Sequence, residues 1–159
     1  MQGDTVDVRA PDEMKRLIVE LNILTKRIND AFLREAAATG LSNSAFEILY
    51  ALYTQGEGCS QKALCDRCLI NKQTVNSSLK KLRDQGVVEF HDGHGRETLL
   101  FLTEEGRHLV EEKVRPALQR EAEVLGQLGA MDREQLLRSM RRYASLLEDR
   151  FPPARKDAP

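Results

Sequence analysis

Between Asn71 and Arg83 the chain reads Asn-Lys-Gln-Thr-Val-Asn-Ser-Ser-Leu-Lys-Lys-Leu-Arg, with four cations and no acid. The amides of Gln73 and Asn76 can bond adenine edges in a major groove, and lysine can reach guanine. Serine and threonine hydroxyls can take either a base or a phosphate. A carboxylate in the run would be repelled by phosphate, so its absence is informative. The plainer alternative is a solvated surface helix, but such a helix would carry Glu and Lys four residues apart.

Cys59, Cys65 and Cys68 form the second group able to do chemistry. As a redox pair, Cys65 and Cys68 would need thiolate character from a helix N-terminus or a nearby cation. As a metal site, the three could recruit His91 or His94, although a helical Cys-x-x-Cys lacks the geometry of structural zinc sites. As small hydrophobes, Cys65 and Cys68 would join Leu64 and Leu69 on the buried face of a short helix. The last reading asks for the least, so neither a metal nor a cofactor is expected. No Ser-His-Asp spacing, phosphate loop or carboxylate pair appears, and His91, His94 and His108 lack local metal-ligand spacing. An enzyme is not expected.

The elements that must position these residues follow from periodicity and caps. Pro11 with Asp12 and Glu13 starts a helix. Leu17, Leu21, Leu24, Ile28 and Phe32 give it an apolar stripe to about Thr39, which Ile18 and Ile23 widen, so it needs more than one packing partner. Gly40 ends it. Ser42 or Ser44 can cap a second helix carrying Phe46, Leu49, Tyr50 and Tyr53, and Ser44 to Glu47 has capping-box spacing. Ser60 caps a short third helix through Leu69. Asn71 caps a fourth running to Gln85, closed by Gly86. On this fourth helix Val75, Ser78, Leu79 and Leu82 fall on one side and must face the core. Gln73, Asn76, Ser77 and Lys80 fall toward the other, flanked by Thr74 and Lys81.

After Gly86 the period changes from 3.6 to 2. Val87–Phe90 and Thr98–Leu102 read as two short strands, and His91–Glu97 as the loop of a hairpin. Arg96 near its tip suits a guanidinium laid into a narrow minor groove. Thr103-Glu104-Glu105 opens a fifth helix, in which Pro116 should introduce a kink. Asp132 caps a last helix with Leu136, Met140, Tyr143 and Leu147 at heptad-like spacing.

Composition agrees with a soluble globular chain. Of 159 residues, 41% are hydrophobic and 31% charged, and without Trp the core must be mostly Leu, Val, Ile and Ala. No apolar run approaches the roughly 20 residues a bilayer demands, and Met1–Asp7 lacks the pattern of a signal peptide. Three cysteines within ten residues are no secreted disulfide framework, so a cytoplasmic location is expected. Net charge is −1, but Ser60 to Arg96 holds seven basic and four acidic residues, making it +3 against −4 for the remainder. A basic middle in an acidic chain fits a localised surface for a polyanion.

The segments Leu41–Leu49, Ser60–Leu64, Asn71–Leu82, Gly86–Val88 and Leu102–Gly106 together resemble the MarR family of winged helix-turn-helix regulators, over about residues 12–150. The fold class implied is mainly α with a small β-hairpin wing, carrying N- and C-terminal dimerisation helices. Residues 1–10 would be a flexible arm and 151–159 a flexible tail. Between them, about 42–103 would form a DNA-binding lobe, and 11–39 and 104–150 the dimerisation helices. The resemblance implies a homodimer on palindromic double-stranded DNA, regulated by a small-molecule or oxidant effector, and no membrane partner. The candidate DNA-contacting residues are Ser60, Gln61, Lys72, Gln73, Thr74, Asn76, Ser77, Lys80, Lys81 and Arg96. The family wing usually reads Asp-x-Arg. Here Arg96 stands on the arginine and His94 on the aspartate, so that acidic partner is missing or is replaced by Asp92. The alternative function is a thiol-redox-responsive protein using Cys65 and Cys68.

Overall fold

A computed structural model describes residues 11–68, 70–95 and 97–151. The order is α1 (Pro11–Ala38), α2 (Asn43–Gln55), β1 (Cys59–Ser60), α3 (Gln61–Arg67), α4 (Lys72–Asp84), β2 (Val88–Asp92), β3 (Thr98–Leu102) and α5 (Glu104–Leu109). A π-helical turn (Val110–Val114), α6 (Arg115–Gln127) and α7 (Ala130–Arg150) follow. The chain divides into two compact units at Arg115 and Pro116.

The first unit contains the core. Ile48, Leu49 and Leu52 of α2 are fully buried, as are Leu64, Val75, Leu100, Val110 and Val114. Each such aliphatic side chain contributes about 1.5–3 kcal/mol by leaving water. On α4 the buried set is Val75, Ser78, Leu79 and Leu82, as the spacing requires. The sheet is antiparallel with β3 in the middle, ordered β1-β3-β2. Val88 pairs with Leu102 and Asp92 with Thr98 across the hairpin, and Cys59 pairs with Leu100 on the other edge.

Two sequence signals meet where the hairpin joins α5. Gly86 closes α4 in the left-handed region at φ 71°, a conformation that favours glycine. The Thr103 hydroxyl accepts from the Gly106 N–H at 3.0 Å and donates to the Gly86 carbonyl at 2.6 Å. One side chain thus caps α5 and ties it to the end of α4.

Several expectations need correction. The cap of α2 is Ser42, which accepts from the Ala45 N–H, and not Ser44; the helix begins one residue after Ser42. The Ser44 hydroxyl instead accepts from Ser78 of α4 at 2.8 Å. Helix α3 ends at Arg67, short of Leu69, which lies outside the described residues. Cys59 and Ser60 form a strand that no period announced, because two residues are too few to show alternation. The second strand runs from Val88 to Asp92, taking in two residues read as loop. The single fifth helix expected after Thr103 is divided into α5, a π turn in which the Arg115 N–H reaches the Val110 carbonyl, and α6, which contains Pro116.

The second unit comprises α6 from Pro116 and α7. Asp132 lies in the first turn of α7 and is not its cap; Gly129 holds the cap position without a side-chain bond. The carbonyls left over at the end of α6 are met by Arg133, whose guanidinium donates to Leu128 at 2.6 Å and to Leu125 at 3.3 Å.

Large apolar side chains stand exposed on both long helices. On α1 every residue from Pro11 to Asn29 is exposed, including Leu17, Ile18, Leu21, Leu24 and Ile28. On α7 the same holds of Leu136, Leu137, Met140, Tyr143, Leu146 and Leu147. Among the described residues no helix is long and apolar enough to cross a membrane.

Candidate nucleic-acid interface

Helices α3 and α4 form a helix-turn-helix, and each starts on a cap that the sequence placed. Ser60 accepts from the Ala63 N–H at 3.1 Å, and Asn71 accepts from the Thr74 N–H at 2.9 Å. With Val75, Ser78, Leu79 and Leu82 inside, the remaining face of α4 is turned out. Lys72, Gln73, Asn76, Ser77, Lys80 and Lys81 are all exposed.

These side chains differ in how far they are committed. Among the described residues, Lys72, Lys80 and Lys81 have no ion-pair partner, so their charges are available to an external anion. The Thr74 hydroxyl is held by Asn71 at 3.1 Å, and the Ser77 hydroxyl donates to the Thr74 carbonyl at 3.0 Å. The Gln61 amide donates to Asn76 Oδ1 at 2.8 Å. Arg83, the fourth cation of the run, turns away: it lies 3.4 Å from Asp84 and 5.2 Å above the Phe90 ring.

The hairpin β2–β3 has the shape of a wing. Its loop closes through the Gly93 N–H and the Glu97 carbonyl at 2.8 Å, with Gly95 left-handed at φ 70°. His91 packs on Phe101 with ring centroids 4.7 Å apart, and its Nε2 lies 3.1 Å from Glu89. His94 is exposed at the loop. Arg96 lies outside the described residues.

Cys65 and Cys68 are not sealed in the core as expected. Leu64 is fully buried, but Cys59, Cys65 and Cys68 are each only half-buried. Burial still raises all three thiols. Cys68 is pushed up to about 11, by burial first and then by the Glu47 carboxylate. Neutral thiols are poor nucleophiles. Among the described residues no three of His, Cys, Asp or Glu gather as a metal would need.

Sequence reasoning named the exposed residues of α4 but not their internal bonds. The Gln61–Asn76 and Ser44–Ser78 contacts join different helices and leave no trace in spacing. The engagement of Arg83 with Phe90 was equally invisible.

Comparison with known proteins bears on this arrangement. A model of the MarR family matches residues 39–97. A MarR family regulator from Neisseria meningitidis is 26% identical and superposes with a TM-score of 0.73, over 87% of this chain and 95% of that one. Bordetella bronchiseptica BpsR, whose DNA binding is regulated by 6-hydroxynicotinic acid, is 27% identical with a TM-score of 0.60, over 79% and 98%. MepR of S. aureus, solved in complex with DNA, shares the fold at 19% identity and a TM-score of 0.62, over 81% and 96%. A search of curated proteins found no match.

Proposed function

We propose that the chain, which is similar to MarR family winged helix-turn-helix transcriptional regulators, acts as one of them, a cytoplasmic homodimer on palindromic double-stranded DNA. Helix α4 enters the major groove and the β2–β3 hairpin lies along the minor groove, where Arg96 supplies the guanidinium. The carrying observation is the outward face of α4. It offers the Gln73 and Asn76 amides beside Lys72, Lys80 and Lys81, which have no ion-pair partner among the described residues, with no carboxylate in the sequence from Asn71 to Arg83. Base-edge amides with phosphate-seeking cations are what direct readout combines.

The dimer is supported by the apolar side chains left exposed on α1 and α7. Patches of that kind on a monomer call for a partner, and a second copy joined by a two-fold axis matches a palindrome. A small-molecule effector is supported by the likeness to BpsR, which makes 6-hydroxynicotinic acid the first compound to try. The thiol-redox alternative draws no support from the cysteines, whose acidity burial reduces.

Selection from a randomised duplex library at several salt concentrations tests the proposal. The expected product is a palindrome with half-site centres about 10 base pairs apart, bound with an affinity that falls steeply with salt. Enrichment of no sequence, with weak binding to every duplex, would overturn it.

A further inference from the structure

Asn76 has two faces to offer a base edge, an oxygen that accepts and an NH2 group that donates. In this fold the oxygen is already taken. Gln61 Nε2 donates to Asn76 Oδ1 at 2.8 Å, and the Cys65 thiol lies within donor reach of the same oxygen at 3.9 Å. Both groups belong to α3, so the oxygen is turned toward that helix, held by Gln61 with the weaker and more distant thiol on the same side. What Asn76 presents to the outside is therefore its NH2.

Gln61 is itself held. It is the first residue of α3, directly after Ser60, which caps that helix and pairs with Leu99 in the sheet. Its backbone is thus fixed by a strand and a cap together, and its side chain is half-buried while Asn76 is exposed. An arrangement of this kind orients an exposed side chain before any ligand arrives.

Resting on the reading of α4 as the helix that meets DNA, we infer that Gln61 is a positioning residue that turns Asn76 into a donor-only reader. Asparagine normally prefers adenine, because it accepts from N6–H2 while donating to N7. With its oxygen engaged, Asn76 loses the first of those bonds. The edge that suits a bare NH2 is guanine, whose N7 and O6 are both acceptors. Gln61 thereby sets the base chosen by a residue on another helix, through its bond to the Asn76 oxygen.

The test uses the full-length protein and a library of duplexes randomised over the operator. Wild type, Gln61→Ala, Gln61→Glu and Asn76→Ala are compared, with thermal midpoints recorded to establish that each folds. Wild type should prefer guanine at the position that Asn76→Ala relaxes. Gln61→Ala frees the oxygen, so adenine should gain at that position alone, by roughly fivefold for one recovered hydrogen bond. In Gln61→Glu the carboxylate can only accept, so Asn76 must turn its NH2 inward and its oxygen outward. Preference should then move to adenine or cytosine, which carry amino donors, whatever uniform loss the added charge causes. If Gln61→Ala and Gln61→Glu leave the base preference unchanged, or weaken all sequences alike, the inference is wrong. If Asn76→Ala relaxes no position while Gln73→Ala relaxes one, the inference falls and α4 remains the reader. If neither relaxes any position, it is the reading of α4 that fails.

Discussion

A β-carbon on Gly106 would collide with the carbonyl oxygen of Val87, and it would also stand 3.3 Å from the Leu102 side chain. Helix α5 therefore crosses the chain leaving α4 at a distance that only glycine permits. Thr103 fastens the same junction by bonding Gly86 and capping α5. The hairpin begins and ends at this junction, with β2 starting at Val88 and β3 ending at Leu102.

Gly106→Ala should destabilise the protein by about 1–3 kcal/mol, because backbone and not a flexible side chain must give way. Gly126→Ala is the matched control: nothing lies within 4 Å of its added carbon. In a helix that change should be neutral or stabilising by up to about 1 kcal/mol. Urea midpoints for the two variants check this. Equal effects would show that the Val87 contact is not as close as described.

Gln73→Ala should relax base preference at one or two positions in each half-site, costing about 1–3 kcal/mol on the preferred sequence. Lys81→Ala should weaken binding to all sequences alike and lower the salt slope by about one unit. Both residues are exposed, so neither change should disturb folding. The measurement is library binding at several salt concentrations. The same uniform loss from both variants would remove α4 from the major groove.

Arg96→Ala should cost about 1–3 kcal/mol of operator affinity through loss of a minor-groove contact. Fluorescence anisotropy with a labelled operator at fixed salt checks it. Wild-type affinity in the variant would rule the hairpin out as a wing.

Sedimentation should give a two-fold dimer. Removing residues 132–159 takes away most of α7 with Leu136, Met140 and Leu147, and should leave insoluble or monomeric protein that binds DNA weakly. Monomeric full-length protein would refute the dimer.

For Cys68, a thiol moved from 9.0 to about 11 is ionised about a hundredfold less at pH 8 than an unperturbed one. Alkylation by iodoacetamide should be slow at pH 8 and climb with pH until near 11. The sign for stability is that of a raised pKa: the contribution is present below about pH 9 and is lost as pH rises through the folded value. Rapid modification of Cys68 at pH 8, or loss of operator binding in mild peroxide that a reductant reverses, would favour the redox alternative instead.

The sequence by itself determined where the main helices and the hairpin lie and which face α4 turns to the core. Val75, Ser78, Leu79 and Leu82 recur at helical spacing, and all four are buried. Asn71, Ser60 and Thr103 sit one residue before their helices and bond N–H groups three residues on. Such signals are legible because cause and effect lie within one turn of chain. Tertiary structure alone decided the contacts that cross between elements. Gln61 meets Asn76 across 15 residues, and Ser44 meets Ser78 across 34. Cys59 and Ser60 become a strand only because the edge of β3 offers them partners at Leu100 and Leu99. No period or cap encodes these, since each depends on where two separately formed elements come to rest. Gly106 shows both sides: a glycine in a helix is visible as a cost in helix propensity, but the Val87 carbonyl that requires it comes near only in the folded chain.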